Sequence, residues 1–447
     1  MNKQDIKEKR YYIETMGCQM NLHDSEILAG QLENLGYTKA EKIEESDIFI
    51  LNTCAVRRKA EEKVFSRLGK LKPLKDNRKE MVMVLWGCMS QQEHLARKMK
   101  ERFDFLDLIS GTHSLGRFPE LLEQAETSRG TILALEEGES RENLPIKREH
   151  GFKAWVPISY GCNNYCTYCV VPYVRGPEKS RSPELILKEA DDLARTGYKE
   201  ITLLGQNVNS YGKDLDKSIT FAQMLTKLDQ VQGVEMIRFM TSHPRDFSED
   251  IIASMQQGEK ICEHIHLPLQ AGSNRILEKM NRGYTKEYFL SLVQNIRDNI
   301  PGVSITTDLI VGFPGETEDD FAETLFMVRD IQFDSAFTFV YSTREGTEAS
   351  KMEDQIDPET KKKRIMTLND IQNEISLAKN KKLIDTVQTV LVEGESKTDP
   401  NMFTGRTRTN KLVHFPSAFN LVGKLVKVKI TEAQPWSLMG EVKTSIF

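Results

Sequence analysis

The chain has 447 residues, of which 39% are hydrophobic and 28% charged, a composition typical of soluble globular proteins. Its formal net charge is -5, so any nucleic-acid-binding surface must be local rather than global. We find no apolar run long enough for a signal peptide or a membrane span, which predicts a cytoplasmic protein without a membrane partner. In a reducing compartment its seven cysteines are expected to be metal ligands or catalytic groups rather than disulfides.

The first region, residues 10–126, alternates short apolar strands with helical patterns. The predicted strands lie in "YYIETMGC", "SDIFILNTC", "EMVMVLWGC" and "FDFLDLIS". Because strand–helix alternation requires right-handed crossovers, the pattern predicts an α/β domain with an open parallel sheet. The charged stretch that follows is predicted to be a linker over 127–150.

Three cysteines of this region, Cys18, Cys54 and Cys88, each follow an apolar strand directly. The carboxyl ends of parallel strands line one crevice, so three thiols that are far apart in sequence are expected to converge there. Three thiolates at one point could hold an iron–sulfur cluster. A single cysteine is more often a buried core residue, and that alternative remains for each of them taken alone. Cys262 has no such context and is interpreted as a plain thiol.

The second region, residues 151–382, repeats the strand–helix alternation. The predicted strands are Val156–Tyr160, Glu200–Leu204, Glu235–Met240, His264–Leu267, Val303–Ile310 and Ser335–Tyr341. Two of the helices between them are expected to begin at the cap residues Ser182 and Thr317. Six such units in a region of this size predict a barrel or partial barrel rather than an open sheet.

The stretch "GCNNYCTYC", which carries Cys162, Cys166 and Cys169, follows the first of these strands. The spacing C-x3-C-x2-C lets three thiolates from one loop converge on a cluster, and barrel active sites lie at this end of the strands. A cluster with three cysteine ligands leaves one iron open, whereas structural zinc requires four closed ligands. A structural zinc loop or three packed thiols are the alternatives.

The third region, residues 383–447, consists of short apolar stretches punctuated by Gly and Pro, which predicts a small antiparallel β-barrel. Basic residues recur at alternate strand positions, which share one face, and the aromatic residues among them could stack on bases. The RNA-binding candidates are Phe403, Arg406, Arg408, Lys411 and Phe415. A solvated basic face is the alternative interpretation.

Together these motifs resemble a known family over nearly the whole chain. The pattern C-x3-C-x-aromatic-C, with Tyr168 as the aromatic residue, is the signature of radical S-adenosylmethionine (radical SAM) enzymes. The segments "GQNVNSYG", "HLPLQAGSNRIL", "TDLIVGFPGET" and "YSTREGT" resemble the methylthiotransferase branch, and "TMGCQMN" resembles its MiaB-type tRNA methylthiotransferases. The C-terminal strands resemble the TRAM module. The resemblance implies an α/β fold with an open parallel sheet domain, a central radical SAM partial (β/α) barrel and a TRAM barrel.

The resemblance also implies two 4Fe-4S clusters and S-adenosylmethionine as cofactors. Cys162, Cys166 and Cys169 would hold the cluster that cleaves S-adenosylmethionine, while the three N-terminal cysteines would hold an auxiliary cluster for sulfur transfer. Polar groups at barrel strand ends suit such a zwitterionic nucleoside. The S-adenosylmethionine-binding candidates are Tyr168, Gln206, Asn207, Gln270, Ser273, Asp308 and Arg344. Each of them taken alone could equally be a turn or cap residue.

The activity implied is radical insertion of a methylthio group at carbon 2 of isopentenyladenosine next to the anticodon of tRNA. The implied partners are that tRNA, an electron donor, a sulfur donor and cluster-assembly proteins. Two alternatives remain open. One is a methylthiotransferase that acts on threonylcarbamoyladenosine or on a ribosomal protein, and the other is a metal-stabilised RNA-binding protein without catalysis.

Overall fold

The computed structural model describes residues 8–55, 58–136, 142–149, 151–216, 219–396, 399 and 401–443. It divides into two compact units. The first unit comprises Met1–Glu149, Tyr160–Asn163 and Cys169–Lys179. The second comprises His150–Ser159, Asn164–Tyr168 and Ser180–Phe447. The chain therefore returns to the first unit twice after leaving it, and neither unit is one continuous segment.

A six-stranded parallel sheet forms the centre of the first unit. Its strands are β1 (Arg10–Thr15), β2 (Thr38–Lys39), β3 (Ile48–Thr53), β4 (Val82–Gly87), β5 (Leu108–Ser110) and β6 (Ile132–Ala134), in the order β2-β1-β3-β4-β5-β6. The helices that connect them are α1 (Gln19–Asn34), α2 (Arg58–Asn77), α3 (Glu93–Arg102) and α4 (Phe118–Thr127). Every residue of β3 and β4 is buried, as expected for central parallel strands covered on both faces. The predicted open parallel sheet is confirmed.

The prediction of a linker over 127–150 is wrong where the structure describes that stretch. Strand β6 lies inside it and pairs with β5 as the last strand of the sheet. Further on, the Lys147 amide donates to the carbonyl of Glu26 at 2.8 Å, and Arg148 forms an ion pair with the Glu26 carboxylate at 2.9 Å. A three-residue strand is too short to show an alternating pattern in a sequence this rich in charge.

The chain then continues with strands and helices most of which build a partial barrel, whereas α5 belongs to the first unit and β8 and β9 pair in a separate two-stranded sheet. The strands are β7 (Lys153–Pro157), β8 (Ser159–Tyr160), β9 (Lys179–Ser180), β10 (Glu200–Leu204), β11 (Met236–Phe239), β12 (His264–His266), β13 (Ser304–Val311) and β14 (Ser335–Val340). The helices are α5 (Val171–Arg175), α6 (Pro183–Arg195), α7 (Phe221–Asp229), α8 (Glu249–Gln257), α9 (Asn274–Lys279), α10 (Lys286–Asn299), α11 (Glu318–Ile331) and α12 (Pro358–Lys381). All six predicted strands are present, which confirms the expected architecture.

Two parallel sheets build the barrel wall of the second unit. One has the order β11-β10-β7 and the other β12-β13-β14, and an isolated bridge between Ile237 and Ile261 joins their neighbouring edges. Helix α6 begins at Ser182, whose hydroxyl accepts from the Leu185 amide, and α11 begins at Thr317 in a capping box with Asp320. Local capping chemistry therefore sets where these two helices begin, as the sequence predicts.

The C-terminal barrel has five strands. They are β15 (Val387–Glu395), β16 (Met402–Thr407), β17 (Leu412–Pro416), β18 (Leu425–Ala433) and β19 (Leu438–Val442), closed in the order β15-β16-β17-β19-β18. The pairs are antiparallel except for β17 with β19, which is parallel, and the predicted small barrel is confirmed with this one exception to its antiparallel pairing. Among the described residues, we find no helix long and apolar enough to cross a membrane.

Buried charges attach the C-terminal barrel to the sheets of the second unit. Arg238 on β11 pairs with Glu200 on β10 at 2.7 Å, and their side chains are 5% and 6% exposed. The same guanidinium donates to the carbonyls of Thr407 and Arg408, each at 2.8 Å. Because this cation neutralises Glu200 and also satisfies two carbonyls of the barrel, it links the two sheets to the turn after β16.

Candidate metal centres

The first candidate centre contains Cys18, Cys54 and Cys88, which we call the N-terminal triad. Each cysteine lies just beyond the carboxyl end of a strand: β1, β3 and β4, respectively. These three strands are neighbours in the sheet, so their ends lie side by side. Cys54 and Cys88 are buried, whereas Cys18, at the start of α1, is exposed.

Asn21 fixes the loops that carry the N-terminal triad. Its side-chain amide donates to the carbonyl of Met16 at 2.9 Å and to that of Thr53 at 2.8 Å. Its Oδ1 atom lies 3.9 Å from the Cys18 sulfur and 3.8 Å from the Cys88 sulfur. One amide therefore holds two strand ends in place and also faces two of the thiols.

Gly17 permits the close approach of the first and second cysteine loops. Its φ angle is +124°, and a Cβ atom at this position would lie 2.6 Å from the Cβ atom of Cys54. Any side chain would therefore combine backbone strain with a steric clash at the triad. This glycine belongs to the "TMGCQMN" motif, so the motif encodes the shape of the loop as well as a thiol.

Arg175, at the end of α5, completes the surroundings of the N-terminal triad. Its Nε atom donates to the Cys88 sulfur at 3.1 Å, and Nη2 donates to Asn21 Oδ1 at 2.9 Å. Nη2 also pairs with Asp24 Oδ2 at 2.7 Å, with the two side chains 3% and 1% exposed. Burial raises the pKa of the Cys88 thiol, and the guanidinium of Arg175 partly opposes that shift. Within the described part of the chain, Arg175 Nη1 is buried without a hydrogen-bond partner.

The chemistry of this donor set fits an iron–sulfur cluster better than a single ion. In the described ranges, no three His, Cys, Asp or Glu side chains are placed to share one metal ion. A mononuclear zinc needs each sulfur at about 2.3 Å, whereas a four-iron cube accepts thiolates that lie farther apart. A four-iron cube held by these thiols would supply sulfides able to accept from a buried donor such as Arg175 Nη1.

The three cysteines predicted to form the second centre, which we call the central triad, are divided between the units: Cys162 and Cys169 belong to the first and Cys166 to the second, so each portion is described by itself. In the first unit, the Cys162 amide donates to the Gly176 carbonyl at 3.1 Å. Gly161 has φ +73°, and a Cβ atom there would lie 2.0 Å from the carbonyl oxygen of Pro177. The backbone on the N-terminal side of this loop is therefore packed too closely for a side chain at 161.

The portion of this loop that belongs to the second unit is held by Arg282. Its Nη1 atom donates to the Cys166 sulfur at 3.2 Å and to the Tyr168 hydroxyl at 3.4 Å. Arg282 is 4% exposed, and its Nη2 donates to the Pro268 carbonyl. Thr167 is bonded through its amide to the carbonyl of Met280. Each triad thus has one cysteine sulfur that accepts a hydrogen bond from a buried arginine.

Two of the predicted S-adenosylmethionine-binding residues follow the end of β10 and have unused polar atoms, whereas Asp308 lies within β13. Gln206 Oε1 and Asn207 Oδ1 are buried and have no hydrogen-bond partner among the described residues, while Asn207 Nδ2 donates to Asp246 at 2.8 Å. Asp308 lies 3.3 Å from His266 Nε2. Buried unpaired acceptors are costly, so these atoms indicate a place where a polar ligand completes the structure.

Other predicted residues have structural partners instead. The hydroxyl of Ser273 donates to Asp320 at 2.5 Å and so joins α9 to α11. Gln270 adopts φ +71°, and its backbone amide donates to the Asp308 carbonyl at 2.8 Å. Arg344 lies in a turn in which its backbone carbonyl accepts a hydrogen bond from the Thr347 hydroxyl. These contacts give Ser273, Gln270 and Arg344 a role in positioning loops, and their contact with a ligand remains a prediction.

His243 was not predicted, although it lies directly after a predicted barrel strand in "TSHP". Its ring nitrogens are buried and have no hydrogen-bond partner in the part of the chain that the structure describes. Burial, together with the nearby Arg282 guanidinium, lowers the pKa of His243 to about 2, so the ring is neutral at physiological pH. The signal available in the sequence was its position at the end of β11, where barrel sites are built.

Three family models match successive parts of the chain. The first, described as "Uncharacterized protein family UPF0004", covers residues 10–111. The second is the Radical SAM superfamily, which covers residues 156–328, and the third is the TRAM domain over residues 381–443. The two candidate triads therefore fall in two different matched families.

Full-length relatives decide the family. A tRNA-2-methylthio-N(6)-dimethylallyladenosine synthase from Natranaerobius thermophilus is 55% identical over 436 residues, which cover 97% of both chains. One from Carboxydothermus hydrogenoformans is 54% identical and covers 97% of this chain and 99% of its own. The chain belongs to the tRNA-2-methylthio-N(6)-dimethylallyladenosine synthase family. The three matched models follow one another along the chain in the same order as the three predicted regions, whose bounds stay predictions.

Solved structures show that the fold extends beyond this synthase family. The radical S-adenosylmethionine methyltransferase TsrM from Kitasatospora setae superposes with a TM-score of 0.56 at 12% identity, covering 77% of this chain and 75% of its own. The cobalamin-dependent S-adenosylmethionine radical enzyme OxsB gives a TM-score of 0.53 at 15% identity, covering 82% of this chain and 56% of its own. At such low identity the likeness concerns the fold alone.

For this member of the synthase family, the structure corrects most of the predicted RNA contacts. Phe403 and Phe415 are 5% and 0% exposed and form the barrel core, so they are not available to stack on bases. Arg408 forms a bidentate pair with Glu263, and Lys411 pairs with Asp334 at 2.9 Å, so both hold the barrel against the sheets of its own unit. Arg406 is half-buried, 3.6 Å from Glu393, and remains a candidate.

Proposed function

We propose that this chain installs a methylthio group at carbon 2 of N6-dimethylallyladenosine, also called isopentenyladenosine, next to the anticodon of tRNA. The observation that carries the proposal is the identity of 55% over 97% of the chain to a relative named for that product. Two separate cysteine triads, each beside a buried arginine, support a mechanism with two 4Fe-4S clusters.

The central triad is proposed to hold the cluster that cleaves S-adenosylmethionine. When bound, that cluster supplies the electron that converts S-adenosylmethionine into methionine and a deoxyadenosyl radical. Arg282 orients Cys166 and Tyr168, which leaves the loop fixed before the ligand arrives. Gln206 and Asn207 offer buried acceptors, and Asp308 offers a carboxylate, for the amine and hydroxyl groups of the zwitterionic nucleoside.

The N-terminal triad is proposed to hold the auxiliary cluster that serves in sulfur transfer. Asn21 joins the loops of β1 and β3, and Arg175 supplies a positive charge beside Cys88. Unactivated aromatic C–H groups resist acid–base chemistry, so a radical from one site and a sulfur carrier at a second site meet the demands of methylthiolation. Electrons, sulfur and cluster assembly are proposed to come from partner proteins.

We propose a revised RNA surface on the C-terminal barrel. Phe419 and Trp436 are 69% and 62% exposed, and Lys424 and Lys427 are also exposed. Exposed aromatic rings and lysines on the same barrel suit an anticodon loop, whose bases can leave their stack and whose phosphates are accessible. The names of the relatives favour this substrate over threonylcarbamoyladenosine or a ribosomal protein.

The test is reconstitution of the full chain under anaerobic conditions with dimethylallylated tRNA. About eight irons per chain are expected if two cubes assemble. Mass analysis of digested tRNA should then show the methylthiolated nucleoside, and the reaction should form deoxyadenosine.

Cys262 offers a matched control for cysteine substitution. It is 1% exposed, lies outside both triads and packs with Met236 and Leu391, so Cys262→Ala should keep both iron content and product. Product from threonylcarbamoylated tRNA instead of dimethylallylated tRNA would contradict the proposed substrate. A colourless protein that contains zinc and binds tRNA would contradict the enzyme assignment altogether.

A further inference from the structure

The side chain of Arg175 contacts the N-terminal triad, and the proposed sulfur-transfer role does not by itself explain why an arginine is placed there. It belongs to α5, which follows the central triad in sequence, yet its side chain contacts the N-terminal triad. Val170 and Val174 from the same segment pack with Cys88 and Ala55 in one buried cluster. The segment after Cys169 therefore forms part of the wall around the N-terminal triad.

Asp24 balances the charge of Arg175, but the guanidinium keeps one buried hydrogen-bond donor without a partner among the described residues. Its Nη2 pairs with Asp24 and donates to the side-chain oxygen of the neutral Asn21, while its Nε donates to the Cys88 sulfur. A buried guanidinium strongly favours anionic neighbours, and its Nη1 donor has none in the described residues. A thiolate at Cys88 and the sulfides of a cluster provide such neighbours.

We propose that Arg175 is a positioning residue of the auxiliary cluster whose positive charge raises the reduction potential of that cluster, and that Asp24 moderates this effect. The inference rests on the proposed function, because it needs a cluster on the N-terminal triad. Hydrogen bonds to ligand sulfurs and the net charge around a cluster are known determinants of its potential.

The sign of the effect follows from electrostatics. Reduction adds one electron to the cluster, taken from the reductant, with no bond broken and no proton transferred. A cation 3.1 Å from a ligand sulfur stabilises the more negative, reduced form. The carboxylate of Asp24, 2.7 Å from the guanidinium, offsets part of that charge. Removing the cation should therefore lower the potential, and removing the carboxylate should raise it.

The experiment isolates one cluster in the full chain. All three cysteines of the central triad are changed to Ala, so that iron binds to the N-terminal triad alone. Arg175→Gln, Arg175→Lys and Asp24→Asn are made in this background, and each reconstituted protein is titrated with dithionite under EPR detection. Arg148→Gln is the matched control, because it removes an arginine that pairs with α1 through Glu26 instead of Asp24.

We expect Arg175→Gln to lower the ratio of reduced to oxidised cluster at a fixed solution potential roughly tenfold, or about 59 mV for a one-electron couple. Asp24→Asn should shift the ratio in the opposite direction, and Arg175→Lys should restore much of the parental value. Arg148→Gln should leave it unchanged. Opposite shifts from the two partners are not expected of residues that merely keep the loop folded.

Each remaining outcome decides between the inference and the function on which it rests. Failure of the parental background to bind iron would overturn the proposed auxiliary cluster itself. A parental cluster with unchanged potentials in both Arg175→Gln and Asp24→Asn would overturn the inference alone. If Arg175→Gln cannot retain a cluster, Asp24→Asn decides the question: a raised potential supports the role of charge, and an unchanged one refutes it.

Discussion

Replacing Arg238 by Met should release the C-terminal barrel from the sheets of its unit. The change leaves Glu200 buried without its cation and removes the donors to the carbonyls of Thr407 and Arg408. Breaking a buried ion pair costs about 3–5 kcal/mol, and each hydrogen bond from a charged donor contributes about 1.5–3 kcal/mol. These contributions overlap, so we expect the docked state to lose about 4 kcal/mol.

Hydrogen–deuterium exchange measures this loss locally. A change of about 4 kcal/mol corresponds to roughly a thousandfold faster exchange wherever the opening equilibrium, with closing faster than chemical exchange, determines the rate. The affected peptides should cover β11 and the segment from Met402 to Lys411, while α4 in the first unit should keep its protection. Lys199→Met is the matched control, because it removes an exposed pair with Glu235 at 3.5 Å and should change exchange by less than about fivefold.

The reasoning fails if Arg238→Met exchanges at the parental rate in both segments. That result would mean that the barrel is held by its apolar contacts, such as those of Leu391 with Met236 and Cys262. A uniform increase over the whole chain would indicate global destabilisation instead of undocking. Glu200→Gln, which keeps a neutral acceptor beside the arginine, should cause a smaller increase than Arg238→Met.

Further predictions concern the triads, the RNA surface and pH. Changing any cysteine of the central triad to Ala should abolish deoxyadenosine formation, and normal formation in one variant would contradict the ligand assignment. Changing any cysteine of the N-terminal triad should preserve deoxyadenosine formation but eliminate the methylthiolated nucleoside in tRNA digests. Lys424→Gln with Lys427→Gln should reduce the slope of log affinity for tRNA against log salt by roughly two, measured by filter binding, and an unchanged slope would place RNA elsewhere. The free energy of unfolding should fall as pH drops below the ordinary His pKa of 6.5, because the histidine is protonated in the unfolded chain, whereas buried His243 stays neutral in the folded chain. His243→Gln should make that decline shallower by about 1.4 kcal/mol per pH unit in urea titrations, and equal slopes would contradict the neutral buried ring.

The sequence was sufficient to predict β1, β3, β4 and β5 and the six strands of the partial barrel because most of these strands are runs of apolar residues bounded by polar turns, whereas the two-residue strand β2 (Thr38–Lys39) has no such pattern and was not predicted. Ser182 and Thr317 could be predicted as helix caps because capping depends on residues within one turn. Strand β6 was missed because its three residues have no periodicity of their own. Its existence depends on the edge that β5 presents, which is a property of the folded sheet.

The failed RNA predictions have a different cause. A period of two shows which residues of a strand share a face, but it does not show which face is inside. On β16 the buried face contains Phe403, and the opposite face contains Arg406. Arg408 and Lys411 lie in the turn between β16 and β17 instead of at alternate strand positions, and their partners Glu263 and Asp334 lie in another part of the second unit. Pairings of this kind depend on tertiary contacts that no local pattern contains.

The return of residues 169–179 to the first unit has a consequence for the order in which the protein is made. On the ribosome, the six-stranded sheet is fully synthesised once Ala134 has emerged, and it can begin to fold then. At that stage the strand ends that carry the N-terminal triad still lack Arg175 and the packing of Val170 and Val174, because these residues are synthesised later. An excised fragment that ends at Glu149 would therefore keep all three N-terminal thiols but leave Asp24 without its cation. Nascent chains arrested before and after Lys179 should differ in how readily they retain iron.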